Sequence, residues 1–397
     1  MNYRERTLTA VAGGAADVLP FVPRLDLWYK ANTYSNTLPK KYRHASLMDI
    51  VEDLDVGYHC LLPDFSDFES EDGDLDIGLG VYHLKANCYK VVFHNLKRTV
   101  NRDSHGGTRV TYHTPKGDVS CAFVLDERMK ASGLTLWVVK EHLIKSEDDW
   151  EAAAYIFENA EILPRYERLL ATQQFLGDRA EAVAYAHTHA CAMHLLIKDL
   201  MPLEDFYFAL FDDEERLSEL GARIEPFMDR LFDVVSNAPS RLVFSGGNYD
   251  SAVTAPSFFH RHMLPQIQKR ADACHAKNKY LICHTDGENV GLMDDLVASR
   301  FDVADSICPA PMTKLDLSVY LEAFRGQTTI WGGIPSIAVL EETMGEKEFR
   351  AYIDQMFEKI GDGRRIVLSI ADTTPPGAKF ERIERIARMA REFGAVR

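Results

Sequence analysis

The sequence predicts an α/β chain folded as a (β/α)8 TIM barrel, with a β-hairpin insertion near its N-terminal third. Three observations carry this expectation. The second half alternates short apolar runs, polar or glycine-rich turns and amphipathic stretches, the pattern of parallel βα units. Several of the apolar runs lack a polar residue at every second place, as strands covered on both faces should. The residues that follow these runs are unusually polar, as at the C-terminal mouth of a barrel.

In chain order, the candidate strands are residues 19–25, 56–62, 182–187, 241–245, 279–284, 303–307, 328–331 and 365–370. Helices are expected over 256–277, 291–299, 317–325, 347–361 and 381–393. The helix at 256 opens on Pro256, whose fixed φ and missing N–H suit a first helical turn. Residues 85–125 break the rhythm. There VVFHNLKRTV, TRVTYHT and DVSCAFVL alternate with period two and are joined by the turn-forming DSHGG and PKGD. This segment is expected to be a β-hairpin insertion covering one edge of the barrel mouth. A helical run over 147–170 then leads back to the barrel. The whole chain, 1–397, is expected to form a single domain carrying that insertion.

Composition narrows the function. Lys and Arg number 45 against 60 Asp and Glu, giving −15. That field repels nucleic acid and anionic membranes and suits a small-molecule enzyme. No apolar run approaches the roughly 18 residues of a membrane span, and no apolar stretch behind MNYRERTLTA makes a signal peptide. The seven cysteines are odd in number, scattered and without a CxxC pair. A disulfide framework is therefore not expected, and a cytoplasmic location is. Neither GxGxxG nor GxxxxGK[ST] occurs, so nucleotide chemistry is not expected. The acidic stretch 64–76 lacks the ligand spacing of a calcium loop.

The strand ends hold the candidate chemistry. His284 and Asp286 are two apart after an apolar run, so in extended backbone both face one side. Cys308 and Asp372 follow later strands and could converge on the same point. His, Asp and Cys are all competent zinc ligands. The metal-free alternative is that His284 and Asp286 bond each other and a substrate. Asn248, Tyr249 and Asp250 follow a Gly-Gly turn and are candidates for substrate contact. His187 shares a face with His189 and is a further candidate, a structural role being its plain alternative.

The order GGN-x-D, APSFF, HTDG, CPAPM, WGGIPS and ADTTPP, from about residue 240 to the end, resembles the uroporphyrinogen decarboxylase superfamily. Within it the chain is similar to the corrinoid-dependent methyltransferase branch, and in particular to the methyltransferase components of O-demethylases. Thr114-Pro115-x-Gly117 and Lys145-Ser146-Glu147-Asp148 also fit that branch. The decarboxylases themselves open with an arginine-rich segment that grips a polycarboxylate. The matching stretch here, Pro23 to Lys30, holds Arg24 but no arginine pair. A polycarboxylate needs several guanidinium partners. The resemblance thus implies a smaller, flatter, less charged substrate, stacked on Trp28 or Tyr29 unless these two are simply core.

Relatives that methylate coenzyme M hold zinc with His-x-Cys and a later Cys. Asp286 and Asp372 stand in those places here, and Cys308 falls where cobalamin-independent methionine synthase has a Glu. Carboxylates leave a metal a harder Lewis acid, matched to oxygen rather than sulfur. The resemblance implies methyl transfer from a small methoxylated aromatic to the Co(I) corrinoid (cobalamin) of a separate partner protein. Zinc on His284, Asp286, Cys308 and Asp372 would activate the leaving oxygen. Without metal, Asp286 or Asp250 would serve as general acid. The corrinoid must come from a partner, because the nearest match to its D-x-H-x-x-G motif, Asp103 to Thr108, lacks the final glycine. Two rival readings are a decarboxylase of a small aromatic or pyrrolic acid and a non-catalytic binding member of the fold. A homodimer is the prior expectation for assembly.

Overall fold

The computed structural model describes residues 1–397. Six strands run antiparallel in its first half: β1 (Tyr89–Phe93), β2 (Lys97–Arg102), β3 (Gly107–Thr114), β4 (Gly117–Val124), β5 (Val138–Glu141) and β6 (Ala160–Pro164). β2, β3, β4 and β5 form one sheet in that order, and β1 pairs with β6. Val110, Tyr112, Val119, Cys121 and Phe123 alternate along β3 and β4 and form the buried face. The insertion is therefore larger than the expected hairpin at 85–125. Its last strand, β5, is separated from β4 by the helix Glu127–Ala131 and a loop. The helical run expected over 147–170 is two helices, Trp150–Glu158 and Tyr166–Leu176, divided by β6. Pro164, with no N–H to donate, closes that strand rather than continuing a helix.

A parallel sheet follows: β7 (Ala184–Tyr185), β8 (Leu242–Gly247), β9 (Tyr280–His284), β10 (Val303–Ile307), β11 (Thr329–Pro335) and β12 (Ile366–Ala371), adjacent in that order. These match six of the eight candidate strands. The other two are not regular strands. Segment 19–25 contributes one parallel bridge, Phe21 to Leu368, flanked by Val22 N–H to Leu368 O and Leu368 N–H to Pro20 O, both 2.8 Å. Pro20 and Pro23 bring no amide donors to a longer ladder. Segment 56–62 gives single bonds on either side, Gly57 N–H to Phe21 O and Tyr58 N–H to Arg179 O, at 3.0 and 3.1 Å.

The parallel strands separate two cores. Leu242 and Phe244, Ile282, Val303, Trp331 and Val367 join Val22 and Tyr185 in one cluster. The alternate residues Val243, Leu281, Cys283, Ala304 and Leu368 belong to the larger cluster shared with the helices. Both faces are thus covered, which accounts for the unbroken apolar runs. Expected helices appear as Met293–Ala298, Leu317–Ala323, Glu346–Lys359 and Phe380–Phe393. The one expected at 256–277 starts at Pro256 and ends at His275, with a π-helical turn over Phe259–Met263. A second π-helical turn, Leu196–Leu200, follows the short helix Ala192–Leu195. No helix is long and apolar enough to cross a membrane.

Candidate functional site

The site is assembled where β8, β9, β10 and β12 end. His284 closes β9, and Asp305 on β10 is its register partner. The His284 Nδ1–H donates to Asp305 Oδ2 at 2.6 Å, inside the protein, with both side chains buried. That bond turns Nε2 toward Asp286 Oδ1, at 3.2 Å, and Asp372 Oδ1, at 3.3 Å. Gly247 makes room for this histidine, since a Cβ there would lie 2.7 Å from the His284 Cβ. Asn248, at φ 60°, donates its backbone N–H to His284 O and its side-chain Nδ2–H to Asp286 Oδ1, at 2.8 and 2.9 Å. An irregularity in β10 between Asp305 and Ile307 carries Ser306, at φ 65°. Its hydroxyl donates to Asp372 Oδ1 at 3.1 Å, an example of a bulge re-aiming a side chain. Arg24 Nη1–H donates to the same oxygen at 3.0 Å.

The charges respond to this crowding. Burial opposes protonation of His284, but the carboxylates of Asp286, Asp372 and Asp305 outweigh it and raise its pKa to about 9. Burial raises the Asp286 pKa against the pull of His284. Asp372 is held below the usual carboxylate range despite burial, because Arg24 and His284 stand beside it.

One ligand atom from each of His284, Asp286 and Asp372 lies within 4.8 Å of the others, a group that could hold a metal ion. The donor chemistry fits a small divalent cation: one imidazole nitrogen, two carboxylates, and a position left for an exogenous oxygen. The bond from His284 to Asp305 is the outer carboxylate that orients metal-bound imidazoles. Cys308, expected as a fourth ligand, lies outside this group. Asp305, three residues earlier, holds the level of His284 on β10. The buried Cys308 thiol lies 3.9 Å from Ala371 O, and burial pushes its pKa up to about 12.

The group opens on a cavity of about 380 Å³. Its polar side includes Arg24, Lys198, Asn248, His284 and Asp372, and its apolar side includes Leu27, Phe65, Tyr82 and Trp137. Of the substrate candidates on the loop after β8, Asn248 lines the cavity. The other substrate candidates are elsewhere. Trp28 is buried and stacked on Phe380 with ring centroids 5.3 Å apart, and Tyr29 donates its hydroxyl to Ala45 O. On the helix Asp26–Tyr34 it is Leu27 that reaches the cavity. Tyr249 is fully buried, edge-on to Phe259 at 5.2 Å. Asp250 accepts backbone N–H bonds from Ala252 and Glu288, at 2.8 and 3.0 Å, and braces its loop instead of lining the cavity. His187 is buried and does not line the cavity, its Nδ1 accepting from His189 N–H, and burial holds its pKa well below the usual value.

Asp305, Ser306, Lys198 and Trp137 were not among the sequence candidates. Asp305 had a signal: a carboxylate inside the apolar run VADSI. Lys198 had a similar one in LLIKDLM. Trp137, in the insertion, had none.

No protein-family profile and no curated protein matches the chain. Among solved structures, it is similar to a methyltransferase from Methanosarcina mazei, with a TM-score of 0.53 and 12% identity. The match covers 99% of this chain and 98% of that one, so at this low identity the two share a fold along essentially their whole lengths.

Proposed function

We propose that this chain transfers a methyl group from a small methoxylated aromatic to a Co(I) corrinoid carried by a separate protein that docks over the cavity mouth. We also propose that segments 20–22 and 57–58 close the parallel sheet into an eight-stranded barrel, and that the chain is one domain. One observation carries the functional reading: an imidazole and two carboxylates sit at the polar end of a cavity walled by aromatic and aliphatic side chains. The shared fold with a methyltransferase and the motif order of the second half support it.

The aromatic ring would lie against Trp137 and Tyr82, with its ether oxygen toward His284. As the methyl group passes to the acceptor, the ether oxygen keeps the electron pair of the broken C–O bond. A phenoxide is a poor leaving group unless its charge is met. Without metal, His284 keeps a proton on Nε2 at neutral pH, since its pKa is raised to about 9, and can deliver it to that oxygen. The Asp286 carboxylate, 3.2 Å from Nε2, helps to hold that proton in place. When zinc is bound by His284, Asp286 and Asp372, it supplies a Lewis acid at that position. Asp305 and Asn248 then hold the imidazole and the Asp286 carboxylate in place. Exclusion of water by the apolar wall strengthens each of these contacts.

The test is release of a phenol, in equal amount to methylcobalamin, from the purified protein, a methoxyarene and Co(I) cobalamin. His284→Ala is expected to lower the rate by about 100-fold or more. Folded, metal-replete protein that transfers no methyl group from a panel of methoxyarenes, yet releases CO2 from aromatic acids, would overturn the proposal in favour of decarboxylation.

A further inference from the structure

Lys198 has no part in the chemistry above, yet it lines the cavity. It sits in the π-helical turn Leu196–Leu200, a distortion that tends to mark functional positions. Its Nζ donates to Thr188 Oγ1 at 3.0 Å and to Asn248 Oδ1 at 2.5 Å. Both partners are neutral, and an ammonium has three N–H bonds to give. No salt bridge within 4.0 Å reaches Lys198. Arg24, the other cation on the cavity wall, is already paired with Asp26 and Asp372. The neighbouring Asp199 is taken by His189, 2.7 Å away.

A cation drawn into a protein wall without a direct ion pair is costly. Burial lowers the pKa of Lys198 against the pull of Asp199 and Asp286, neither of which pairs with it directly. An anion bound in the cavity would supply the direct ion pair that Lys198 lacks. The rest of the wall restricts what carries that anion: Phe65, Tyr82, Leu134, Leu136 and Trp137 offer an apolar wall, and about 380 Å³ suits a single-ring ligand. Asn248 stands between the two ends of the polar side, accepting from Lys198 and donating to Asp286. A ring can therefore present one substituent to Lys198 and another to the His284 group.

We propose that Lys198 is the anion anchor of the cavity and binds the carboxylate of a small aromatic acid whose ring lies against Trp137 and its apolar neighbours. This rests on the reading of the cavity as the substrate site, and it narrows the substrate to methoxylated aromatic acids.

Calorimetric titration with 4-methoxybenzoate and its neutral counterpart 4-methoxybenzamide tests it. The wild-type protein is expected to favour the acid by roughly tenfold to a hundredfold, the worth of a charge-assisted hydrogen bond. Lys198→Met and Lys198→Gln are each expected to lose that preference while still binding the amide, and amide binding also reports that the variants are folded. Equal affinity of the wild type for acid and amide overturns the anchor alone and leaves the cavity as a substrate site. So does a preference that persists in the variants, which would assign the carboxylate to Arg24 or a metal. Binding of neither ligand by the wild type overturns both the anchor and the cavity reading.

Discussion

His284 has both ring nitrogens committed before any ligand arrives, Nδ1 to Asp305 and Nε2 to the carboxylates of Asp286 and Asp372. Fixing the first nitrogen decides which one faces the cavity. Asp305→Ala is therefore expected to weaken zinc binding by about 10- to 100-fold without removing a ligand, as equilibrium dialysis would show. An unchanged affinity would remove Asp305 from the site. The two tryptophans give a second contrast. Trp137→Ala should weaken binding of a neutral methoxyarene by about 0.5–1.5 kcal/mol and, since the half-buried ring also packs edge-on to Phe123, cost less stability than loss of a fully buried tryptophan. Trp28→Ala, which empties a stacked core position beside Phe380, should cost about 3–5 kcal/mol in denaturant unfolding. The opposite ranking would mean that Trp28, and not Trp137, meets the substrate. These residues also mark the limit of reading a sequence. His284 and Asp286 were legible as a pair because two-residue spacing fixes their common side locally. Trp28 was not, because nothing in a local aromatic pair says which ring meets a distant helix and which a cavity.

At the scale of elements, the antiparallel strands were legible up to residue 125, where alternation with period two is clear. β5 and β6 were not, since each is too short to show its own period, and β6 pairs with β1, far back in the chain. The parallel strands were legible as apolar runs, but a run does not reveal the donors it lacks, and so Pro20 and Pro23 reduce segment 19–25 to one bridge. The antiparallel sheet is fitted closely to the cavity wall. Ile77 lines the cavity, and a Cβ on the adjacent Gly78 would lie 2.2 Å from the Cys121 Sγ on β4. Gly78→Ala is expected to destabilise the protein by about 1–3 kcal/mol, and Cys121→Ala in the same chain should recover part of that loss. Denaturant midpoints of the two variants would check it. No destabilisation would mean that the sheet shifts freely on the turn beneath it.

At the scale of the whole molecule, acid should act through buried histidines. Burial first, then neighbouring positive charges, hold His187 and His194 well below the usual histidine pKa; His189 is lowered by burial against the pull of Asp199. Unfolded histidines titrate near about 6.5. Below that pH the unfolded chain takes up protons that these buried rings refuse, so stability falls as pH drops. His284 contributes with the opposite sign: its stabilisation is present below the unfolded value and lost as pH rises through about 9. The urea midpoint of metal-free protein is thus expected to fall between pH 7 and pH 5, and His187→Gln should flatten that slope. A midpoint independent of pH over this range would contradict the burial of the histidines.

The metal content of the purified protein, prepared without chelator and compared with His284→Ala, bears most directly on how the site works. About one zinc per chain, absent from the folded variant, is the predicted result, and it would place the activating charge on the group formed by His284, Asp286 and Asp372. A folded parent without metal that also fails to take up added zinc would contradict the metal centre and leave the proton on His284 as the only activating charge.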